Sequence, residues 1–126
     1  MIDSTRKKKI LLAEDDSSMR RFIEIILQQA GYEVLTAEDG LQALQMVQTN
    51  GIDALVADAV MPHLTGYDLC RVLRSQTKNL PMIILSGLEQ NNQSDDDCIA
   101  DIFLVKNASL KNDLTSALEK LLSAKT

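Results

Sequence analysis

Short apolar runs alternate with longer amphipathic stretches along the 126 residues. The runs Ile10–Ala13, Tyr32–Ala37, Ala54–Ala57, Met82–Leu85 and Ile102–Val105 are candidate strands. The last three are almost continuously apolar, the pattern of parallel strands covered on both faces. Between the runs, apolar residues recur at helical spacing. Met19, Phe22, Ile23, Ile26, Leu27 and Ala30 define a first helix, which Asp16 or Ser17 can cap and Gly31 can end. A second helix is expected over about Gly40–Asn50, with Leu41, Leu44 and Val47 inward and Gly51 past its end. A third starts at Thr65-Gly66-Tyr67-Asp68, where Thr65 and Asp68 have capping-box spacing, and ends near Gln76. The last follows Ser109, with Leu110, Leu114, Ala117, Leu118 and Leu121 as its stripe. The segment Glu89–Asp97, EQNNQSDDD, is crowded with residues that favour caps and turns. Any helix between the fourth and fifth strands is therefore expected to be degenerate, spanning about Asp95–Ala100.

Five strands alternating with helices predict an α/β fold, a doubly wound parallel sheet with right-handed crossovers. The flavodoxin-like order 2-1-3-4-5 is expected, which makes strands one and three neighbours at the switch point where ligands bind. The length suits one domain, with its core over about residues 9–122 and no output domain.

Composition narrows the function classes. The net charge of −5 argues against general nucleic-acid binding. Arg6-Lys7-Lys8-Lys9 reads as a solvated lead-in to the first strand. No apolar window reaches the roughly 20 residues of a membrane span, so no membrane insertion and a cytoplasmic location are expected. Cys70 and Cys98 have no metal or disulfide spacing and read as reduced thiols. His63 reads as an exposed loop residue, and Met19, Met46, Met61 and Met82 as packing residues.

The expected topology gathers one set of polar residues at the carboxyl ends of the strands. Glu14, Asp15 and Asp16 follow strand one, Asp58 follows strand three, Ser86 and Gly87 follow strand four, and Lys106 follows strand five. Two carboxylates about 5 Å apart repel by roughly 3 kcal/mol at an effective dielectric near 20. A cluster of Glu14, Asp15 and Asp58 therefore calls for protonation, for Lys106, or for a cation. Oxygen ligands with open positions suit Mg²⁺ or Mn²⁺. A hydroxyl and an ammonium beside such an ion can hold phosphoryl oxygens, and a carboxylate can attack phosphorus to give an aspartyl-phosphate.

The stretches ILLAEDDSSMRR, LVADAVMPHLTGYDL, PMIILSG and FLVK resemble the receiver domain of two-component response regulators, in its single-domain, chemotaxis-regulator-like form. The resemblance runs from about Lys9 to Leu122. It implies that Asp58 is the phosphorylated residue and that Asp15, Asp58 and the main-chain carbonyl of Val60 ligate Mg²⁺, with Glu14 acting through a metal-bound water. It further implies that Ser86 meets the phosphoryl group, that Lys106 pairs with its oxygens, and that Phe103 is a switch aromatic. The implied partners are a sensor histidine kinase or histidine phosphotransfer protein as donor, and a downstream protein target. Such a module is no enzyme towards an external substrate; it catalyses only its own phosphorylation and dephosphorylation.

Some positions depart from the family pattern. Asn107 stands where proline usually follows the lysine, so a trans Lys106–Asn107 peptide is expected. Thr65 replaces an aspartate, CIADIF replaces a stretch rich in alanine and glycine, and the Ser86–Lys106 interval is short. Val60 and Leu88, the side chains flanking the phosphoryl site, are both apolar and cannot orient an attacking water, so slow dephosphorylation is expected. The rival reading is a phosphorylation-independent pseudo-receiver, against which the complete set Glu14, Asp15, Asp58, Ser86 and Lys106 argues. A flavodoxin-like carrier is disfavoured by three carboxylates where a flavin phosphate would bind. A haloacid-type phosphatase is disfavoured because Asp58-Ala59-Val60 lacks an Asp-x-Asp pair.

Overall fold

A computed structural model of the chain describes residues 7–76, 79–87 and 100–123. Five strands, β1 (Lys9–Ala13), β2 (Glu33–Ala37), β3 (Ala54–Asp58), β4 (Met82–Ser86) and β5 (Ile102–Val105), form one parallel sheet in the order β2-β1-β3-β4-β5. Among the described residues four helices accompany them: α1 (Ser17–Gln29), α2 (Gly40–Thr49), α3 (Gly66–Gln76) and α4 (Leu110–Ser123). The fold class and strand order are those expected. The degenerate helix between β4 and β5 falls almost entirely on residues 88–99, and Leu88 and Cys98 fall there too; all lie outside the described residues.

Successive side chains on a strand point to opposite faces, and the three inner strands fill both faces with apolar groups. Ile10, Leu12, Ala54, Val56, Ile83 and Leu85 pack with Ile23 and Leu27 of α1 and with Leu110, Leu114 and Leu118 of α4. Leu11, Ala13, Leu55, Ala57, Met82 and Ile84 pack with Ala43 of α2 and with Leu69, Cys70 and Leu73 of α3. The continuous apolar runs thus result from a two-sided core.

The helix ends follow their local chemistry. Asp16 caps α1 by accepting from the Met19 N–H at 2.8 Å, and Asp39 caps α2 by accepting from the Gln42 N–H at 2.8 Å. Gly31, at φ 99°, takes the left-handed turn that leads from α1 into β2. Thr65 Oγ1 accepts from the Asp68 N–H at 3.1 Å, the first half of the expected capping box.

One inward assignment, Leu41, fails, and two apolar positions of the first helix stay out of the core. Leu41 is 52% exposed and Phe22 is 53% exposed, and Ala30 is exposed as well. A helix turns about 100° per residue, so Ala43 and Ile23 take the sheet-facing positions and leave Leu41 and Phe22 on the flank. Ala30 is the residue after α1, where the chain is already turning away. Strand ends also shift: β1 starts at Lys9 and β2 at Glu33, while β3 and β4 run on to include Asp58 and Ser86.

Candidate functional site

The ends of β1, β3, β4 and β5 bring Glu14, Asp58, Ser86 and Lys106 to one edge of the sheet. Glu14 follows β1, and its N–H is held by the Ala37 carbonyl at 3.0 Å. Asp58 ends β3 opposite Leu85, so Ser86 lies one residue further along β4. Ser86 pairs with Val105, and its carbonyl accepts from the Lys106 N–H at 2.8 Å. Backbone pairing therefore brings Ser86 and Lys106 to the same end of the sheet.

The side chains converge. One ligand atom from each of Glu14, Asp15 and Asp58 lies within 4.8 Å of the others. Lys106 Nζ bridges two of these acids, 2.9 Å from Glu14 Oε1 and 2.8 Å from Asp58 Oδ1. Glu14 is 1% exposed and Asp58 8%, whereas Asp15 faces solvent. Glu14 Oε2 also accepts from the Asp16 N–H at 3.2 Å.

Burial pushes the Glu14 carboxyl above its ordinary value; the Lys106 hydrogen bond opposes that rise, and the nearby Asp58 charge adds to it. Burial works against the Lys106 ammonium too, but hydrogen bonds to Asp58 and Glu14, together with their charges, outweigh it and hold its pKa above the ordinary lysine value. Three carboxylates against one ammonium leave an excess of negative charge around an all-oxygen donor set. That set fits a hard divalent cation.

The loop after β3 is built tightly against the site. The Gly66 N–H donates to the Ala59 carbonyl at 2.9 Å, and a Cβ on Gly66 would stand 2.2 Å from the Asp58 carbonyl oxygen. Only glycine lets α3 start so close to Asp58. In the same loop Val60 is 72% exposed, and His63, at φ 70°, sets Nδ1 3.4 Å from Asp39 Oδ2.

On β5, Phe103 is 51% exposed. The Lys106–Asn107 peptide is trans. Asn107 uses the N–H that proline would lack to reach the Val105 carbonyl at 2.9 Å. Its side-chain oxygen accepts from the N–H and hydroxyl of Ser109, each at 3.0 Å, just before α4 begins.

Sequence reading passed over Arg20. Its Nη1 donates to the Glu14 carbonyl at 2.9 Å. Helical phase held the signal, since Arg20 lies three residues before Ile23 and seven before Leu27 on the inward side of α1.

Comparisons with known proteins agree with this geometry. Residues 10–119 match the response regulator receiver domain family, and the chain belongs to it. The response regulator MprA of Mycobacterium ulcerans is 36% identical over 105 residues, 82% of this chain and 45% of that protein. A probable transcriptional regulator ycf27 of Galdieria sulphuraria is 43% identical over 83 residues, 66% of this chain and 32% of that protein. The chain therefore spans less than half the length of these curated relatives. Among solved structures, the receiver domain of the Francisella response regulator 1452 superposes with a TM-score of 0.87 at 32% identity, covering 95% of this chain and all of that one (100%). The Thermotoga maritima response regulator TrrA, solved with Mg²⁺ and BeF, gives a TM-score of 0.86 at 30% identity over 91% of this chain and 99% of that one. No helix among the described residues is long and apolar enough to cross a membrane.

Proposed function

We propose that this receiver domain is a phospho-acceptor switch, modified on Asp58 in the presence of Mg²⁺ by a phosphohistidine donor. The observation that carries the reading is Lys106 Nζ lying 2.8 Å from Asp58 Oδ1 beside the Glu14–Asp15–Asp58 cluster. Asp15, Asp58 and the Val60 main-chain carbonyl would hold the ion, with Glu14 acting through a water; Mn²⁺ would serve through the same oxygens. Bound there, the ion would neutralise the carboxylates and the charge on phosphoryl oxygens.

This chain's own residues do the rest. A carboxylate oxygen of Asp58 forms the bond to phosphorus as the donor's P–N bond breaks, and the imidazole leaves with the bonding pair. The Lys106 ammonium, held between two acids, offers charge to the phosphoryl oxygens. The Ser86 hydroxyl, on the adjacent strand end, supplies a hydrogen bond to the same group. In this reading the domain turns over no external substrate. A sensor histidine kinase or histidine phosphotransfer protein donates the phosphoryl group, a downstream protein reads the modified surface, and Phe103 takes part in the switch.

Amide spectra with and without beryllofluoride and Mg²⁺ test this. Resonances of residues 14–16, 58–60, 86–87 and 105–107 are expected to shift in the wild type and to stay fixed in Asp58→Ala. Unchanged wild-type spectra would sink the reading.

A further inference from the structure

We propose that Arg20 is a positioning residue for the cation site, fixing the Glu14–Asp15 turn from behind; the inference rests on the Mg²⁺-dependent reading above. β1 ends at Ala13, so the Glu14 carbonyl lies beyond the regular ladder in a residue that is 1% exposed. A carbonyl buried there needs a donor. Arg20 supplies it, with Nη1 at 2.9 Å. The reach has a simple cause. Helical side chains tilt towards the helix N-terminus, so a long side chain at the fourth residue of α1 folds back over the turn that precedes the helix.

The neighbouring arginine shows that the placement is specific. Arg21 has 67% of its side chain exposed and pairs with Glu24 on its own helix, whereas Arg20 is only 18% exposed. Glu38 comes within 3.9 Å of Arg20, but with 73% of its own side chain exposed it holds the guanidinium weakly. The Glu14 carbonyl is the partner that keeps Arg20 inside.

With its N–H on Ala37, its carbonyl on Arg20, and its two carboxylate oxygens on Lys106 and Asp16, Glu14 is fixed at four points. The Asp15 main chain follows directly from the fixed carbonyl. Arg20 thus acts on the cation site through the backbone, without touching the ion.

Charge and position predict opposite outcomes when Arg20 is removed. A guanidinium acting only as a charge repels a cation, so Arg20→Met would tighten Mg²⁺ binding. A guanidinium acting as a brace favours the binding geometry, so the same change weakens binding, by about tenfold or more where residues behind metal ligands behave typically. The experiment is titration of the full chain with MgCl₂ by calorimetry, together with amide shifts of Glu14 and Asp15. The expected result is a raised Mg²⁺ dissociation constant in Arg20→Met, with altered Glu14 and Asp15 resonances before Mg²⁺ is added. Affinity equal to or tighter than wild type overturns the proposal. Should Arg20→Met not fold, Arg20→Gln, which also removes the charge and shortens the reach to the Glu14 carbonyl, takes its place with the same two outcomes. A wild-type chain that takes up no Mg²⁺ would instead remove the reading of the site, and the brace with it.

Discussion

The three clustered acids are not equivalent, and their surroundings divide the labour. Glu14 and Asp58 are buried and share the Lys106 ammonium, while Asp15 is exposed beside them and contributes repulsion. Removing its charge should relieve the cluster. Asp15→Asn is expected to stabilise the fold in the absence of divalent ions by on the order of 1 kcal/mol for a solvent-facing charge, read as a raised thermal midpoint. It should also abolish the stabilisation that Mg²⁺ gives the wild type; thermal unfolding with and without MgCl₂ checks both. In the proposed phosphorylation cycle, Val60 bears on a different step. Its apolar side chain, two residues past Asp58 and largely exposed, gives an attacking water nothing to bind. Val60→Asn is expected to speed loss of the phosphoryl group severalfold, measured as decay of the phosphorylated species after excess donor is removed. An unchanged rate would show that this position does not control the lifetime.

The elements set these groups in place through a few close contacts. Gly66 starts α3 directly against the Asp58 carbonyl, so any side chain there must push the helix away from Asp58. Gly66→Ala is expected to cost about 1–3 kcal/mol, as overpacking typically does. Urea unfolding measures that loss, and the same variant should bind Mg²⁺ more weakly. At the start of α2, the Gln42 N–H is the main cause holding the Asp39 carboxyl below its ordinary value, with His63 adding to it. A group lowered in the folded chain stabilises above its unfolded value, near 3.8, and that contribution is lost as pH falls through the lowered value. Asp39→Asn keeps a capping oxygen and removes the titration. The stability difference between wild type and variant should therefore shrink as the pH falls below about 3.8, as read from urea midpoints across acid pH.

Taken together, the sheet carries both the stability and the site, and this explains how much could be read from the chain. The two-sided core writes itself as continuous apolar runs, and the acids, Ser86 and Lys106 stand immediately after those runs, so strand order and cluster were both legible. Arg20 was not singled out because its partner is a backbone carbonyl, which has no side-chain signature; only its phase on the inward side of α1 pointed to it. Leu41 misled because its spacing fits an inward stripe although Ala43 takes the sheet-facing place; a small residue carries a weak hydrophobic signal even when it sits deepest. Asn107 was legible as a departure from the family. Its use of N–H and side-chain oxygen to set up α4 required the local geometry.

The account stands on Asp58 accepting a phosphoryl group beside a divalent cation. Incubation with acetyl phosphate and MgCl₂, followed by intact-mass and fragment analysis, addresses that directly. The mass should rise by one phosphoryl group, located on Asp58, with no such rise in Asp58→Ala or when EDTA replaces Mg²⁺. An unmodified wild-type chain, or equal labelling of Asp58→Ala, would contradict it.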